Sequence, residues 1–225
     1  MTRIHPVKLG FVTCYLLESD SSFILVDAGY PKKEDRLWKF LDSRQIDPRH
    51  IKLIIITHGH VDHVGSLKPI KEKTGAPVLI HESEAPLLSS GRTPGVAITL
   101  KWLSRFVKME NGTSVAPVDP DITISGEYPL NDYGITGKVI PTPGHTEGSL
   151  SVILDGENAI VGDIAMKFPI LSRKSYEPIV ARDLNQVYQS WQTLIDEGVR
   201  VIYPAHGKPI GIEVLQGLIE AKTRP

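Results

Sequence analysis

One segment of the sequence, Ile51–Thr57, restricts the fold more than any other. It contains three consecutive isoleucines, Ile54 to Ile56, in a run that is mostly apolar. A continuous β-branched run of this kind is typical of a strand that is buried on both faces of its sheet. Such a strand needs a covering layer on each side, which is consistent with a layered α/β fold.

The rest of the chain shows strand-like and helix-like patterns in both halves. Short apolar runs bounded by turn residues predict strands, and apolar residues at helical spacing predict helices. The predicted strands are Phe11–Glu18, Phe23–Asp27, Ile51–Thr57, Pro77–Ile80, Lys138–Pro141, Ser149–Leu154, Ala159–Val161 and Val199–Tyr203. The predicted helices are Lys33–Arg44, Ser66–Thr74, Asp183–Glu197 and Ile212–Ala221. This rhythm predicts a layered α/β arrangement.

The loop that follows the isoleucine strand, residues 57–65, carries the strongest chemical signal. It reads Thr-His-Gly-His-Val-Asp-His-Val-Gly and contains His58, His60, Asp62 and His63. Imidazole and carboxylate groups are natural ligands of zinc and similar divalent ions. In an extended turn His58 and His60 point the same way, whereas Asp62 and His63 project elsewhere after the chain bends. One short loop of this kind can serve two neighbouring metal ions.

Three more residues of metal-binding type stand in similar places. His145, Asp163 and His206 each come shortly after a predicted strand and beside a glycine. Ligands in open α/β sheets bind at the carboxyl ends of strands. Each of these residues alone is a weak signal, but together with the first cluster they predict a metal site.

The order His58-x-His60-x-Asp62-His63, then His145, Asp163 and His206, resembles the ligand pattern of the metallo-beta-lactamase superfamily. The match extends from Asp27 to His206 and so covers nearly the whole chain. The resemblance implies an α/β fold of the αββα sandwich type, with two mixed β-sheets flanked by helices and the metals at one edge between the sheets. We expect residues 1–225 to form a single domain of this kind.

The resemblance also implies a role for each ligand. His58, His60 and His145 would hold a first metal ion, Asp62, His63 and His206 would hold a second, and Asp163 would bridge the two. Zn²⁺ is the expected ion, with Fe or Mn as alternatives, because histidine and carboxylate ligands suit all of them. We expect Asp27 near the site, since metal-bound histidines usually donate their second ring N–H to an acceptor.

This ligand set predicts a metal-dependent hydrolase. Two divalent ions that share a water can lower its pKa from ~15.7 toward ~7. The expected reaction is attack of a metal-bridging hydroxide on a carbonyl carbon. Asp62 is the predicted catalytic residue, because its carboxylate can orient the hydroxide and relay its proton. No Gly-x-Ser-x-Gly nucleophile motif is present in the sequence.

Two differences between this sequence and other members of the superfamily favour a lactone, an ester or a thioester as the substrate. Beta-lactamases of the family usually carry Cys or Ser where Asp163 stands, and thioesterases similar to glyoxalase II carry a C-terminal helical extension, whereas only positions 207–225 follow His206. The alternatives are a phosphodiesterase, a weak beta-lactamase, an oxidoreductase similar to the single-iron persulfide dioxygenases, and a non-catalytic binding module. Tyr176 and Tyr203 are candidates for assisting the carbonyl oxygen. The apolar stretch Val96–Val107 is a candidate lining for an acyl pocket.

Composition adds expectations about partners and location. The formal net charge of −1 gives no basic excess of the kind that nucleic-acid-binding proteins usually show, so we expect a small-molecule substrate and no nucleic acid. No stretch reaches the ~20 apolar residues that a membrane span needs. The N-terminus lacks a signal-peptide pattern. We therefore expect a cytoplasmic protein without a membrane partner. The sequence leaves open whether the chain forms a homodimer.

Overall fold

The two halves of the chain each build one β-sheet. The computed structural model describes residues 2–19, 22–93, 114–167 and 176–223. Within these ranges twelve strands form two six-stranded sheets, the first from residues 3–124 and the second from residues 128–211.

The strands and helices have the following bounds, with strands and helices each numbered in chain order. The strands of the first sheet, in spatial order, are β1 (Arg3–Lys8), β2 (Thr13–Glu18), β3 (Phe23–Val26), β4 (Ile51–Ile55), β5 (Val78–His81) and β6 (Ile122–Ile124). The strands of the second sheet are β7 (Tyr128–Pro129), β8 (Gly137–Pro141), β9 (Leu150–Leu154), β10 (Asn158–Ile160), β11 (Val201–Tyr203) and β12 (Ile210–Gly211), which lie in the reverse spatial order. The helices are α1 (Glu34–Asp42), α2 (Val61–Val64), α3 (Leu67–Thr74), α4 (Ala85–Ser89), α5 (Leu184–Asp196) and α6 (Glu213–Thr223).

Both sheets are mixed. In the first sheet β1, β2 and β3 pair antiparallel, whereas β3, β4, β5 and β6 run parallel. In the second sheet β10 and β11 are parallel and the other described pairs are antiparallel. The parallel pairs matter for function, because their register brings the carboxyl ends of neighbouring strands to the same edge. Val26 lies opposite Ile55, and Ile160 lies opposite Tyr203.

The isoleucine strand shows how the layers stack. Ile54 and Ile56 belong to a core between the first sheet and its helices, and Ile55 belongs to a second core between the two sheets. The prediction of a strand buried on both faces is therefore confirmed. A third core lies between the second sheet and α5 and α6, and includes the fully buried Trp191. Helices, sheet, sheet and helices form the αββα sandwich that the sequence resemblance implied.

The predicted strands and helices are all present, with ends that differ by a few residues. The strand β1, the short strands β6, β7 and β12 and the short helix α4 were not predicted. The edge strand β1 contains Pro6, and Val7 is its one buried residue, so it lacks the apolar run that marks a buried strand. The loop that carries the metal-type residues contains one helical turn, α2, which begins after His60. The stretch Val96–Val107 lies outside the described residues.

Candidate metal centre

Strand ends bring the predicted ligands to one edge of the sandwich. His58 follows β4, and Asp163 and His206 follow the parallel pair β10 and β11. His145 lies in the connection between β8 and β9. The backbone N–H of Leu150, at the start of β9, donates to the carbonyl of Thr57 at 2.8 Å, which joins the two sheets beside the site. All seven predicted ligands lie within two groups at this edge.

The first group consists of three imidazoles. His58, His60 and His145 are all buried. His58 Nε2 lies 3.0 Å from His60 Nδ1, His145 Nε2 lies 2.9 Å from His60 Nδ1, and the two Nε2 atoms lie 3.1 Å apart. Three ligand atoms at these distances can contact a single ion.

The hydrogen bonds on the far side of two rings define their tautomers. His145 Nδ1 lies 2.7 Å from the carbonyl of Val180, which can only accept, so this nitrogen carries the proton. The hydroxyl of Thr57 gives its proton to the Asp27 carboxylate at 2.9 Å and accepts from His58 Nδ1 at 3.1 Å. Both Nε2 atoms are therefore unprotonated. Two bare lone pairs face each other across 3.1 Å, an arrangement that a cation between them stabilises.

The second group consists of Asp62, His63, Asp163 and His206. His206 Nε2 lies 3.0 Å from Asp62 Oδ2, and His63 Nε2 lies 3.5 Å from Asp163 Oδ1. His63 Nε2 and Asp163 Oδ1 are buried and have no hydrogen-bond partner among the described residues. A buried polar atom without a partner costs free energy, and a metal ion would satisfy both atoms.

Asp163 lies between the two groups. Its Oδ2 atom is 3.7 Å from His145 Nε2 and 4.0 Å from His58 Nε2 in the first group. The same oxygen is 3.6 Å from His206 Nε2 in the second group. A carboxylate in this position can contact two ions at once.

Asp27 organises the second group from behind. Its Oδ2 atom accepts from His63 Nδ1 at 2.8 Å, and its Oδ1 atom accepts from the Thr57 backbone N–H at 2.8 Å. Because the carboxylate accepts the Nδ1 proton, Nε2 is the nitrogen that the neutral ring of His63 offers to a metal ion. Asp27 is buried and has a φ of +65°, a left-handed conformation that Asp and Asn tolerate better than most residues. The contact with a site histidine is the one that we expected for Asp27.

The two groups differ in their electrostatics. Burial, and then the neighbouring imidazoles, lower the pKa of His58 well below its usual range and that of His60 to about 3. Burial also tends to lower the pKa of His63, but the carboxylates of Asp27 and Asp163 raise it above the usual value. Although burial opposes ionisation of Asp163, the nearby His206 and His63 lower its pKa. The first group is therefore a neutral nitrogen cluster, and the second contains ionised carboxylates, which are good ligands for divalent cations.

Comparison with known proteins assigns the family. The sequence profile of the metallo-beta-lactamase superfamily matches residues 7–206. The chain belongs to the metallo-beta-lactamase superfamily. Within it, the chain is 30% identical over 222 residues to the "Beta-lactamase-like protein 2 homolog" of Caenorhabditis elegans, covering 97% of this chain and 64% of that protein. It is 28% identical over 173 residues to the "Probable metallo-hydrolase YflN" of Bacillus subtilis, covering 71% of this chain and 63% of that protein. The chain thus spans less than two thirds of the length of either relative.

Solved structures of the superfamily share the fold. The B3 metallo-beta-lactamase BLEG-1 has a TM-score of 0.69 and 20% identity, covering 96% of this chain and 97% of that one. An archaeal metallo-beta-lactamase superfamily protein from Sulfolobus tokodaii also has a TM-score of 0.69 and 20% identity, covering 98% of this chain and 86% of that one. At this identity the likeness establishes the αββα fold of the superfamily. In the described part of the chain, each helix is too short or too polar to traverse a lipid bilayer.

The tyrosines suggested from this superfamily resemblance are partly buried and pack against apolar cores. Tyr203 packs edge to face on Tyr15, with 5.9 Å between ring centroids, beside the core between the sheets. Tyr176 packs against the outer core of the second sheet, and the Lys167 ammonium lies 4.9 Å from its ring centroid. Tyr30, which was not among the suggested tyrosines, is half-buried. Burial, and then the carboxylates of the second group, raise the pKa of its phenol to about 12.

Sequence reasoning also missed a buried carboxylate beside this metallo-beta-lactamase-type site. Glu84 accepts hydrogen bonds from the backbone of Gly59 and of Gly148, which belong to the loops of the first group. In the sequence Glu84 stands in a polar stretch, His-Glu-Ser-Glu, that resembles any exposed loop. Only the fold reveals its contacts.

Proposed function

We propose that this protein is a hydrolase with two divalent metal ions that acts on the carbonyl group of a lactone, an ester or a thioester. One observation carries the proposal. Two clusters of ligand atoms lie side by side, one made of three imidazole nitrogens and one made of two imidazoles and two carboxylates. Asp163 of the second cluster lies 4.0 Å from His58 Nε2 in the first cluster and 3.6 Å from His206 Nε2 in its own.

Each of the two groups of residues would hold one ion. His58, His60 and His145 would hold the first ion, Asp62, His63 and His206 would hold the second, and Asp163 would contact both. Zn²⁺ is the proposed ion, with Fe or Mn as alternatives. When bound, such a pair of ions lowers the pKa of a shared water toward ~7 and acts as a Lewis acid on the substrate.

Asp62 is the proposed proton carrier. Its side chain has 16% of its surface exposed, whereas the side chains of His63, Asp163 and His206 are 0–6% exposed. Its Oδ2 atom lies 3.0 Å from His206 Nε2, another proposed ligand of the second ion. A carboxylate beside the second ion that is also reachable from solvent can take a proton from the attacking water and deliver it to the leaving group.

The substrate class rests on the residue at position 163. An acid stands where beta-lactamases of the superfamily usually have Cys or Ser, which favours carbonyl substrates other than β-lactams. Relatives that are named probable metallo-hydrolases support a hydrolytic reaction. A cytoplasmic location, a homodimer and the single-domain organisation stay predictions.

The test combines metal analysis with a substrate panel. Metal content is measured on the purified protein, and turnover is measured with lactones, thioesters, esters, phosphodiesters and β-lactams. We expect two metal equivalents per chain and turnover within the first three classes. One equivalent of iron together with O₂ uptake would instead identify an oxidoreductase, and a metal-loaded protein that turns over no member of the panel would refute the proposal.

Two variants connect the activity to the site. His60→Ala and Asp62→Ala are expected to lower turnover by orders of magnitude while circular dichroism shows an intact fold. The matched control is Asp121→Asn, because Asp121 accepts from the backbone of Val78 and from Lys71 at 2.7 Å, outside the two ligand groups. If His60→Ala keeps wild-type turnover at verified metal content, the proposed site is wrong.

A further inference from the structure

Glu84 is a buried acid that joins two parts of the chain. It directly precedes α4, and the whole residue is 3% exposed. Its Oε2 atom accepts from the backbone N–H of Gly59 at 3.0 Å. Its Oε1 atom accepts from the backbone N–H of Gly148 at 3.3 Å. One carboxylate thus spans two loops that are far apart in the sequence.

These two loops carry the whole first ligand group. Gly59 lies between His58 and His60, and Gly148 lies three residues after His145. Because Glu84 holds both backbones, it fixes, together with the hydrogen bond from Leu150 N–H to the Thr57 carbonyl, the distance between the loop with two imidazoles and the loop with the third. The 3.1 Å separation of His58 Nε2 and His145 Nε2 depends on that distance.

The local packing is shaped around this contact. A Cβ atom at position 148 would lie 2.5 Å from Glu84 Cγ and 2.6 Å from the hydroxyl of Ser83. Real Cβ atoms do not approach so closely, so a glycine at 148 is what lets the Glu84 side chain pass. The position of the Glu84 side chain therefore depends on the absence of a side chain at position 148.

The charge of Glu84 calls for an explanation beyond folding. Burial of a carboxylate is costly unless hydrogen bonds or an opposite charge compensate it. Two backbone N–H groups use only part of its accepting capacity, and in the described residues no ion pair involves Glu84. The first ligand group consists of three neutral imidazoles, so a dication there would gain negative charge only from Asp163, which it would share with the second ion. Glu84 places a negative charge one hydrogen bond away from the backbone that joins two of them.

We propose that Glu84 is the positioning residue of the first metal subsite, and that its carboxylate raises the affinity of that subsite for a divalent cation. It acts through Gly59 and Gly148, by holding the two loops together and by adding negative charge behind the imidazoles. This inference rests on the proposed function, because it assumes that the first group binds a metal ion.

The test measures metal binding separately from activity. Metal-free wild-type protein and the Glu84→Gln variant are titrated with Co²⁺ and Zn²⁺ in competition with a chromophoric chelator. Glutamine keeps the size of the side chain, but it removes the charge and turns an amide NH₂ toward one of the two N–H donors. We expect the affinity of one subsite to fall about 10- to 100-fold, the usual effect of removing a partner behind the ligands. The other subsite should change by less than about twofold.

Two reference variants identify the affected subsite. His60→Ala lacks a ligand of the first group, so Glu84→Gln must weaken the same binding step that His60→Ala abolishes. Asp121→Asn also removes a carboxylate that accepts a backbone N–H, but one outside the two ligand groups, and both of its binding steps should match the wild type. Thermal unfolding of each metal-free protein measures any loss of stability of the fold itself.

The outcomes separate the two proposals. A wild-type protein that binds no metal would overturn the proposed function, and this inference with it. Two intact binding steps in Glu84→Gln would overturn the role of Glu84 and leave the proposed function standing, as would an equal weakening of both steps together with a lower melting temperature. If Glu84→Gln does not fold, Gly148→Ala replaces it, because its Cβ displaces the Glu84 side chain. Unchanged affinities in Gly148→Ala would equally refute the role.

Discussion

The contact between Asp27 and His63 offers a sharp test of how the site is organised. Asp27 Oδ2 accepts the proton of His63 Nδ1 at 2.8 Å, so the neutral ring that binds a metal offers Nε2 to the second group. The Asp27→Asn variant keeps the shape of the side chain and tolerates its φ of +65°. It replaces one carboxylate oxygen with an NH₂ group.

The expected consequence is a change of tautomer. When the amide oxygen keeps the Thr57 backbone N–H, the amide NH₂ faces His63 Nδ1, so that two donors meet. The ring relieves this by moving its proton from Nδ1 to Nε2. A protonated Nε2 cannot act as a metal ligand.

The size of the effect can be worked out from this contact. A hydrogen bond to a charged group contributes about 1.5–3 kcal/mol. Since each tenfold change in a binding constant corresponds to about 1.4 kcal/mol, the loss converts to roughly a 10- to 100-fold weaker second subsite. Removal of a partner behind a metal ligand typically has an effect of the same size.

The assay is chelator competition with Zn²⁺ on the metal-free wild type, Asp27→Asn and the control Asp121→Asn, followed by turnover of the best substrate. We expect Asp27→Asn to weaken the binding step that a His63→Ala reference loses, and to lower turnover by a similar factor. If both binding steps and the turnover stay within about twofold of the wild type, Asp27 does not set the tautomer of His63 and the reasoning fails.

Three further perturbations test other parts of the structure. Removal of the metal by a chelator should lower the melting temperature, because an ion present at 1,000 times its Kd stabilises the folded state by about 4 kcal/mol; an unchanged melting temperature would contradict metal binding by the folded chain. Thr57→Val should lower the free energy of unfolding in urea by about 1–3 kcal/mol and weaken the first subsite, because the buried hydroxyl that contacts Asp27 and His58 is lost. Thr57→Ser should restore both, and equal stability of the valine variant would show that the hydroxyl is dispensable. Trp191→Phe should also cost about 1–3 kcal/mol in urea unfolding, because the indole N–H donates to the carbonyl of Ile164 at 2.8 Å in a buried site beside the Asp163 loop; unfolding at the wild-type urea concentration would refute that role.

The predictability of the fold follows the strength of local patterns. The Ile54–Ile56 run and the amphipathic helix α5 were predicted because a buried strand and a one-sided helix each leave a pattern within a few residues. The edge strands β1 and β12 leave no such pattern, since one is interrupted by proline and the other has only two residues. Their pairing partners, rather than their own sequences, make them strands.

The residues at the site divide in the same way. The seven metal-type side chains could be named as candidates from the sequence, because groups that can bind a metal are of few chemical types and these lie in loops after strands, five of them next to a glycine. The acceptor for His145 Nδ1 could not be named, because it is the backbone carbonyl of Val180, and every residue has one. Glu84 could not be named either, because a glutamate in a polar stretch has the same sequence signature whether it is exposed or buried.

What the sequence determined by itself was the chemistry of the centre: which side chains can ligate, their order along the chain, and the resemblance to a superfamily with an αββα fold. What only the tertiary structure decided was the set of contacts that orients those side chains. Glu84 reaches Gly59 across 25 positions and Gly148 across 64, and His145 reaches Val180 across 35. The physical reason is that a ligand is defined by its own functional group, whereas its orientation is defined by whatever hydrogen-bonding atom the packed sheets bring within about 3 Å of it.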